Sequence, residues 1–400
     1  MAVNQEFEYI VIGLGGLGAG AAYWLSRRAG TSVLGLEQFP LGHDNGASED
    51  HSRIIRLSYD KQIYAELAAH SYAAWREVGE ERGAPLLIKS GGLDLFPEGG
   101  IVSPSGHMAG MRGLGIPFEE LSADAVMRRF PQFTLDEGTV AIYQEESGIA
   151  PASACTKAHL TLARSHGATL LDNTPVISIS ARQDGLEVVT AQTTYRCRKL
   201  VVTADAWTNQ VLAPLGVRLP LTWTQEQVTY YAAPDLRQFQ PDRFPVWIWY
   251  DNPCFYGLPI HGEERGVKVA QDLGGQEVTP ETRTFDPDSK TLARVARFMR
   301  RHLPTAVGPE VATKTCMYTL PPDRDFVIDT LPDHPAVSLA LGAGHGYKFA
   351  SIIGKILSEF AIDGATGCNV AEFAVDRPLL TMTNPPRAFE DYLEKNRQPV

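Results

Sequence analysis

"YIVIGLGGLGAGAAYWLSRRAGTSVLGLEQ", residues 9–38, decides the fold. "YIVIG" reads as a strand of branched residues buried on both faces. Gly13, Gly15 and Gly18 follow as G-x-G-x-x-G, and a helix opens through "AAYWLSRR" and stops at Gly30. "SVLGLE" is a second buried strand ending at Glu37. Each glycine has its own physical role. Gly13 permits the tight turn, Gly15 lets backbone approach a pyrophosphate, and Gly18 lets helix and strand pack closely. The helix N-terminus presents N–H groups and a positive dipole end to phosphate. Glu37 is placed to accept from a ribose 2′-OH and disfavours a 2′-phosphate. A lone G-x-G-x-x-G says little, but here the whole strand, turn, helix, strand and acid are present. The unit does not by itself separate NAD from FAD.

The remainder of the chain bounds the answer. It has 400 residues, 44% apolar and 21% charged, so a soluble globular protein of two or more domains is expected. A net charge of -11 argues against nucleic acid or an anionic membrane as partner. No apolar run approaches the roughly twenty residues that a spanning helix needs. The acidic N-terminus lacks the layout of a secretory signal. Cys155, Cys197, Cys254, Cys316 and Cys368 are odd in number and form no C-x-x-C. That spacing fits a reducing compartment, and neither a disulfide framework nor a metal site is expected. The expected location is cytoplasmic.

"PASACTKAHLTLARSHGA" reads as an amphipathic helix with a glycine stop. "KLVVTAD" reads as a further buried strand leading into a helix at "AWTNQVLAPLG". "LLIKSGGLDLFP" alternates like strands about a Gly-Gly turn. From Leu219 to Gly275 the chain is strand-like and aromatic, with "VWIWYDNPCFYGLP" at its centre, and predicts an antiparallel sheet covering something large and flat. "VSLALGAGHGYKFASIIGKILSEFAIDG" predicts a buried strand, a glycine-rich turn and a long helix. The expected fold is mixed α/β: a GxGxxG Rossmann-type domain over 1–88, 150–215 and 321–400, interleaved with an antiparallel-sheet substrate domain over 89–149 and 216–320.

"GLGGLGAGAAYWL" with Glu37, "SRIIRLSY", "VVTADAWT", "KTCMYTLPPDRDFVIDTLP" and "GAGHGYKFAS" occur in this order. Together they resemble the monomeric sarcosine oxidase and N-methyltryptophan oxidase family, FAD-dependent amine oxidases related to D-amino-acid oxidase. The resemblance spans nearly the whole chain and is densest at its two ends. It implies FAD in the N-terminal Rossmann unit, with Ser48, Val176, Gly344 and Gly346 joining Gly13, Gly15, Gly18 and Glu37 around it. Cys316 matches the cysteine that bonds covalently to the flavin 8α-methyl. Lys268, in "GVKVAQD", matches the lysine that assists reaction with O2. Arg53 matches an arginine near the flavin ring. Arg56 and Lys348 match carboxylate-binding residues, with Lys348 also in the cofactor set, and Tyr256 and Tyr318 match the aromatic walls of the substrate pocket. The implied catalytic set is Lys268, Arg53 and Tyr318. The implied reaction oxidises a secondary amine, an N-alkyl or cyclic amino acid, by hydride transfer to flavin N5, with O2 giving H2O2. It also implies a monomer acting on small molecules. A dehydrogenase or desaturating oxidase of natural-product metabolism, or a non-catalytic flavin-binding protein, are the competing readings.

Chemistry asks for the same residue types. Thiolate is the attacking form of cysteine, so Cys316 needs nearby positive charge, which Arg53 is able to supply; taken without the resemblance, Cys316 reads first as a small buried hydrophobe. Arg53 and Arg56 stand three apart, so on a helical turn they share a face and suit a carboxylate, or else a solvated surface. Lys348 falls in the first turn of a helix, where the dipole disfavours a cation unless an anion sits against it. Lys268 follows an apparent strand, and a buried cation there stabilises charge developing on O2; an exposed strand lysine is the bland alternative. His345 is not assigned as a base, because a neutral amine loses hydride without one. Two departures from the family pattern stand out. Asp272 replaces a histidine four residues after Lys268, and "SEDHSR" replaces "S-H-G-D-T-R", with Glu49 in the histidine's place. Two added acids predict a more anionic pocket and a substrate with a second cationic or hydroxyl group, or a bulkier amine. Asp205 also stands where a glycine is usual.

Overall fold

A computed structural model describes residues 5–262 and 265–387. One layer is an eight-stranded sheet. Its parallel strands run Thr169–Leu171, Val33–Leu36, Gln5–Ile12, Thr194–Val202, His334–Leu341. Val176–Arg182, Gly185–Thr190 and Val327–Leu331 add an antiparallel fringe. Alternate side chains enter opposite cores: Val11 packs into the helix-covered cluster, Ile10 and Ile12 into the cluster on the other face. Both faces are covered, which is why these strands read as continuous apolar runs rather than alternating ones.

Helix Gly16–Ala29 crosses helix Ala350–Asp363 at a point where only glycine fits. A Cβ on Gly20 would lie 2.5 Å from the Ala350 carbonyl oxygen, and one on Gly354 would lie 2.3 Å from the Gly20 carbonyl carbon. Trp24 Nε1 donates to Ser351 Oγ at 3.2 Å beside this crossing. The first and last large elements of the chain are thereby locked together.

A second, nine-stranded sheet has the order Gln276–Val278, Thr222–Tyr231, Val267–Asp272, Cys254–Leu258, Val246–Trp249, Gly92–Phe96, Val140–Gln144, Glu119–Ser122, with Glu310–Leu320 paired along Thr222–Tyr231. It is antiparallel except where Val246–Trp249 runs parallel to Gly92–Phe96. Its strands come from 92–144 and 222–320, those of the eight-stranded sheet from 5–36, 169–202 and 327–341. Of the expected segments, residues 1–4, 263–264 and 388–400 lie outside the described residues.

Three local expectations are corrected. "SRIIRLSY" is not a helical turn: Arg53–Ile55 is a strand paired with Gly148–Ala150, and Arg56 follows its end, so the spacing of three is not that of one helix face, although both arginines reach the same cavity. "LLIKSGGLDLFP" is not a hairpin: Ile88–Lys89 joins this small sheet through Gly148–Ala150, whereas Gly92–Phe96 joins the nine-stranded one. Lys348 precedes helix Ala350–Asp363, in a 3₁₀ turn at Tyr347–Phe349.

The glycine turn is sterically closed. A Cβ on Gly18 would stand 1.7 Å from the Gly13 carbonyl oxygen. Gly18→Ala is expected to lose about 1–3 kcal/mol of stability from overpacking, read as a lower denaturant midpoint with unchanged slope.

Candidate functional site

Between the C-terminal ends of the parallel strands and the nine-stranded sheet lies a cavity of about 1070 Å³. Pockets for a single drug-sized ligand span roughly 300–1,000 Å³, so this one has room for a cofactor and a small substrate together. Gly13, Gly15, Glu37, Ser48, Arg53, Arg56, Val176, Tyr256, Asp272, Cys316, Tyr318, Gly344, Gly346 and Lys348 all line it. Gly18 lies beneath the turn, and Lys268, 2% exposed, lies behind the wall.

Around the glycine turn, Gly13 takes φ +87°, a conformation that favours glycine. Gly16 N donates to Ser48 Oγ at 2.8 Å, and the helix carries no acid in its first turn. Leu14 N and Phe39 N donate to the two Glu37 carboxylate oxygens at 2.8 and 3.1 Å. Burial pushes Glu37 up, but the His43 bond and those N–H groups outweigh it and leave the carboxyl below its ordinary value. A fixed carboxylate beside a dipole end with no competing negative charge fits a ribose and diphosphate.

At the inner wall the central group is Asp50, a residue that the sequence does not single out. Asp50 accepts from Lys268 Nζ, from Arg53 Nη1 at 3.3 Å and from Tyr230 Oη at 2.5 Å. Lys314 Nζ lies 3.7 Å away. Burial would raise its pKa; Lys268 and Arg53 instead hold it far below the carboxylate range. Asp50 occupies the glycine of the S-H-G-D-T-R pattern and keeps a glycine-like φ of +108°. That mismatch was the available signal. Asp205 repeats it: φ is +44°, which explains a glycine in relatives, and burial pushes its carboxyl up to about 6.

Cys316 lies on strand Glu310–Leu320, directly across from Glu226. Burial pushes its thiol up to about 11, although Arg53, Lys268 and Arg283 all pull it down. The expected positive charge is present, but desolvation outweighs it. Glu226 is itself buried, pushed up to about 7 by that burial, with its carboxylate accepting from Thr224 Oγ1 at 2.6 Å and Gly274 N at 3.0 Å.

The expected excess of negative charge is not found at residue 272. Arg324 binds the Asp272 carboxylate with both terminal nitrogens, each at 2.7 Å. Such a fork cancels the charge the aspartate brings. Glu49 turns to Ser153, whose Oγ donates to Oε1 at 2.8 Å. Arg56 is likewise matched: Nη1 reaches Tyr250 Oη at 2.5 Å and Asp94 at 3.4 Å. Lys348 Nζ donates to the His345 carbonyl at 3.3 Å. Burial first, then Arg56, pull the Lys348 ammonium down to about 7, with Asp272 opposing. Arg324 and Asp94 are residues that sequence reasoning missed; neither sits in a spacing that marks a pair. Among the described residues no group of His, Cys, Asp and Glu is arranged to hold a metal ion, and no helix is long and apolar enough to cross a membrane.

In protein produced under riboflavin limitation, so that no flavin has been attached, iodoacetamide is expected to modify Cys316 on the order of 100-fold more slowly than an unperturbed thiol near neutral pH, since the thiolate fraction falls with each unit of pKa. Peptide mass spectrometry over time measures this; a rate equal to that of free cysteine contradicts it.

Comparison with known proteins agrees with this geometry. Residues 8–360 match the family model for FAD dependent oxidoreductases, DAO. Monomeric sarcosine oxidase of Streptomyces avermitilis is 36% identical over 379 residues, covering 93% of this chain and 97% of the relative. N-methyl-L-tryptophan oxidase of Yersinia pestis is 29% identical over 379 residues, covering 93% and 100%. The open-form structure of NikD, described as an unusual amino acid oxidase essential for nikkomycin biosynthesis, superposes with a TM-score of 0.82 at 26% identity, covering 93% of this chain and 98% of that one. A chain with this turn, this cavity and these relatives belongs to the family of FAD dependent oxidoreductases, similar over nearly its whole length to monomeric sarcosine oxidase.

Proposed function

We propose that this protein oxidises the C–N bond of a secondary amino acid, N-alkylated or cyclic, and uses O2 as electron acceptor. The observation that carries the reading is one cavity shared by the glycine turn, Cys316, two tyrosines and the Arg56–Lys348 pair. FAD, when bound, supplies a hydride acceptor and a route for two electrons to O2. The chain would hold it with segments 1–88, 150–215 and 321–400, and face it with 89–149 and 216–320. Gly13, Gly15, Ser48, Glu37 and Val176 are assigned to its nucleotide half, and Arg53, Cys316, Gly344 and Gly346 to the rest, with Cys316 as the covalent attachment point.

The chain's own part is binding and orientation. Lys348 and Arg56 take the substrate carboxylate, Tyr256 and Tyr318 wall the pocket and keep water out, and Lys268 supports the reaction with O2. Because Asp272 is matched by Arg324 and Arg56 by Asp94, Lys348 supplies the surplus positive charge. That balance suits a substrate with one carboxylate and an uncharged side chain, rather than a second cation. No general base is required for a neutral amine. We further infer a monomer acting in the cytoplasm. The likeness to NikD, an amino acid oxidase of nikkomycin biosynthesis, favours as a second reading an oxidase of natural-product metabolism.

Anaerobic mixing with N-methyl and cyclic amino acids is expected to bleach the visible flavin band, and air to restore it with release of H2O2. A panel in which no amine bleaches the protein overturns the oxidase reading. Acid-precipitated protein is expected to stay yellow and Cys316→Ser to lose its colour to the supernatant. The Lys348 ammonium carries its charge below about 7. Carboxylate binding is therefore strongest below that pH, and KM rises above it by up to about tenfold per pH unit. Lys348→Met removes this dependence; a KM flat in wild type across the same range counts against the carboxylate assignment.

A further inference from the structure

We infer that Asp50 is a positioning residue that keeps Lys268 charged, and that this charge sets the rate at which the reduced enzyme passes electrons to O2. The inference rests on the reading that the cavity holds FAD and that O2 is the acceptor. In that step O2 takes two electrons from the reduced cofactor and two protons, and leaves as H2O2.

Lys268 is 2% exposed, and its Nζ donates to Asp50 Oδ2 and to the Ser52 carbonyl, the latter at 2.7 Å. The other groups facing it are cationic or neutral. Arg53 shares the same Asp50 oxygen, and Lys314 approaches the second one. Tyr230 stands opposite on the neighbouring strand with its ring 5.8 Å from Nζ, Cys316 lies beyond, and His261 feels the lysine's charge. Three cations therefore converge on one carboxylate. Take that carboxylate away and one of them must lose its charge or leave. Arginine does not deprotonate. Lys314 is 39% exposed and can turn to water. Lys268 can do neither without giving up its proton.

The geometry also explains why an aspartate persists at φ +108°, a backbone state that L-residues rarely adopt. Four donors hold it there: Lys268, Arg53, Tyr230 and the His51 N–H. Asp50 and Ser52 line the cavity, and Lys268 lies directly behind them, bonded to both. A charged lysine stabilises the negative charge that O2 acquires; a neutral one does not. Burial pulls Lys268 down to about 8 even with Asp50 present, so little margin remains.

The test uses holoenzyme reduced with dithionite, so that no amine substrate is needed, and mixed with O2 in a stopped-flow instrument across pH. Wild-type reoxidation is expected to slow as pH rises through about 8. Asp50→Asn shifts that midpoint to lower pH and slows reoxidation at neutral pH by about tenfold or more. Asp50→Glu restores part of the rate. Asp50→Gly relieves the backbone and serves if the asparagine variant does not fold. In protein produced under riboflavin limitation, and so without flavin, the lysine 13Cε resonance missing from Lys268→Arg is expected to titrate at lower pH in the Asp50 variants than in wild type. Unchanged reoxidation profiles, a faster variant, or an unmoved Lys268 resonance each overturn the inference. Failure of every amine to bleach the enzyme would sink the oxidase reading and leave this measurement intact.

Discussion

The close approach of helix Gly16–Ala29 to the strand before it is the constraint on which the rest depends. Gly18 fits against the Gly13 carbonyl with no room for a methyl group. That contact aims the helix N-terminus at the carboxyl ends of the parallel strands, where open α/β sheets bind ligands. It also sets the distance at which Leu14 N reaches Glu37, and Gly16 N reaches Ser48. One edge of the cavity is thus defined by backbone sterics before any side chain is chosen.

The opposite edge is defined by electrostatics. Arg53, Lys268 and Lys314 converge on Asp50, Arg324 on Asp272, and Arg56 on Asp94. Removing one member of a buried pair strands the other, at a cost of roughly 3–5 kcal/mol, so such a wall tolerates paired exchange better than single change. Fixed opposite charges also spare the pocket from reorganising when charge moves during reaction.

Much of the fold was legible because its signals are local. The glycine turn, the buried strands at 9–13 and 199–205 and the turn before helix Ala350–Asp363 carry period and composition in themselves. The interleaving of segments between two sheets followed from β-rich stretches lying between dinucleotide-type units. The failures were of another kind. Arg53 and Arg56 at a spacing of three look helical, yet the pairing of Arg53–Ile55 with Gly148–Ala150 overrides it. Asp272 looked like an added charge because its partner lies fifty-two residues away and no spacing rule links them. Asp50 reads as an ordinary aspartate in a polar loop, its place at a glycine of the family pattern being the one local signal; its positive φ and convergent donors exist only once the chain is folded. Residue types can be read from a sequence, but charge balance at a site belongs to the tertiary structure.

The crossing of Gly20 and Gly354 bears on how the protein is made. The first strand is parallel to one that begins nearly two hundred residues later, and the first helix is covered by the helix at 350–363. As the chain leaves the ribosome, its opening strand can pair with Val33–Leu36 early, but the strand on its other side and the helix that closes over Gly20 emerge only later. Completion of that unit late in synthesis follows from this order, and acquisition of the cofactor with it.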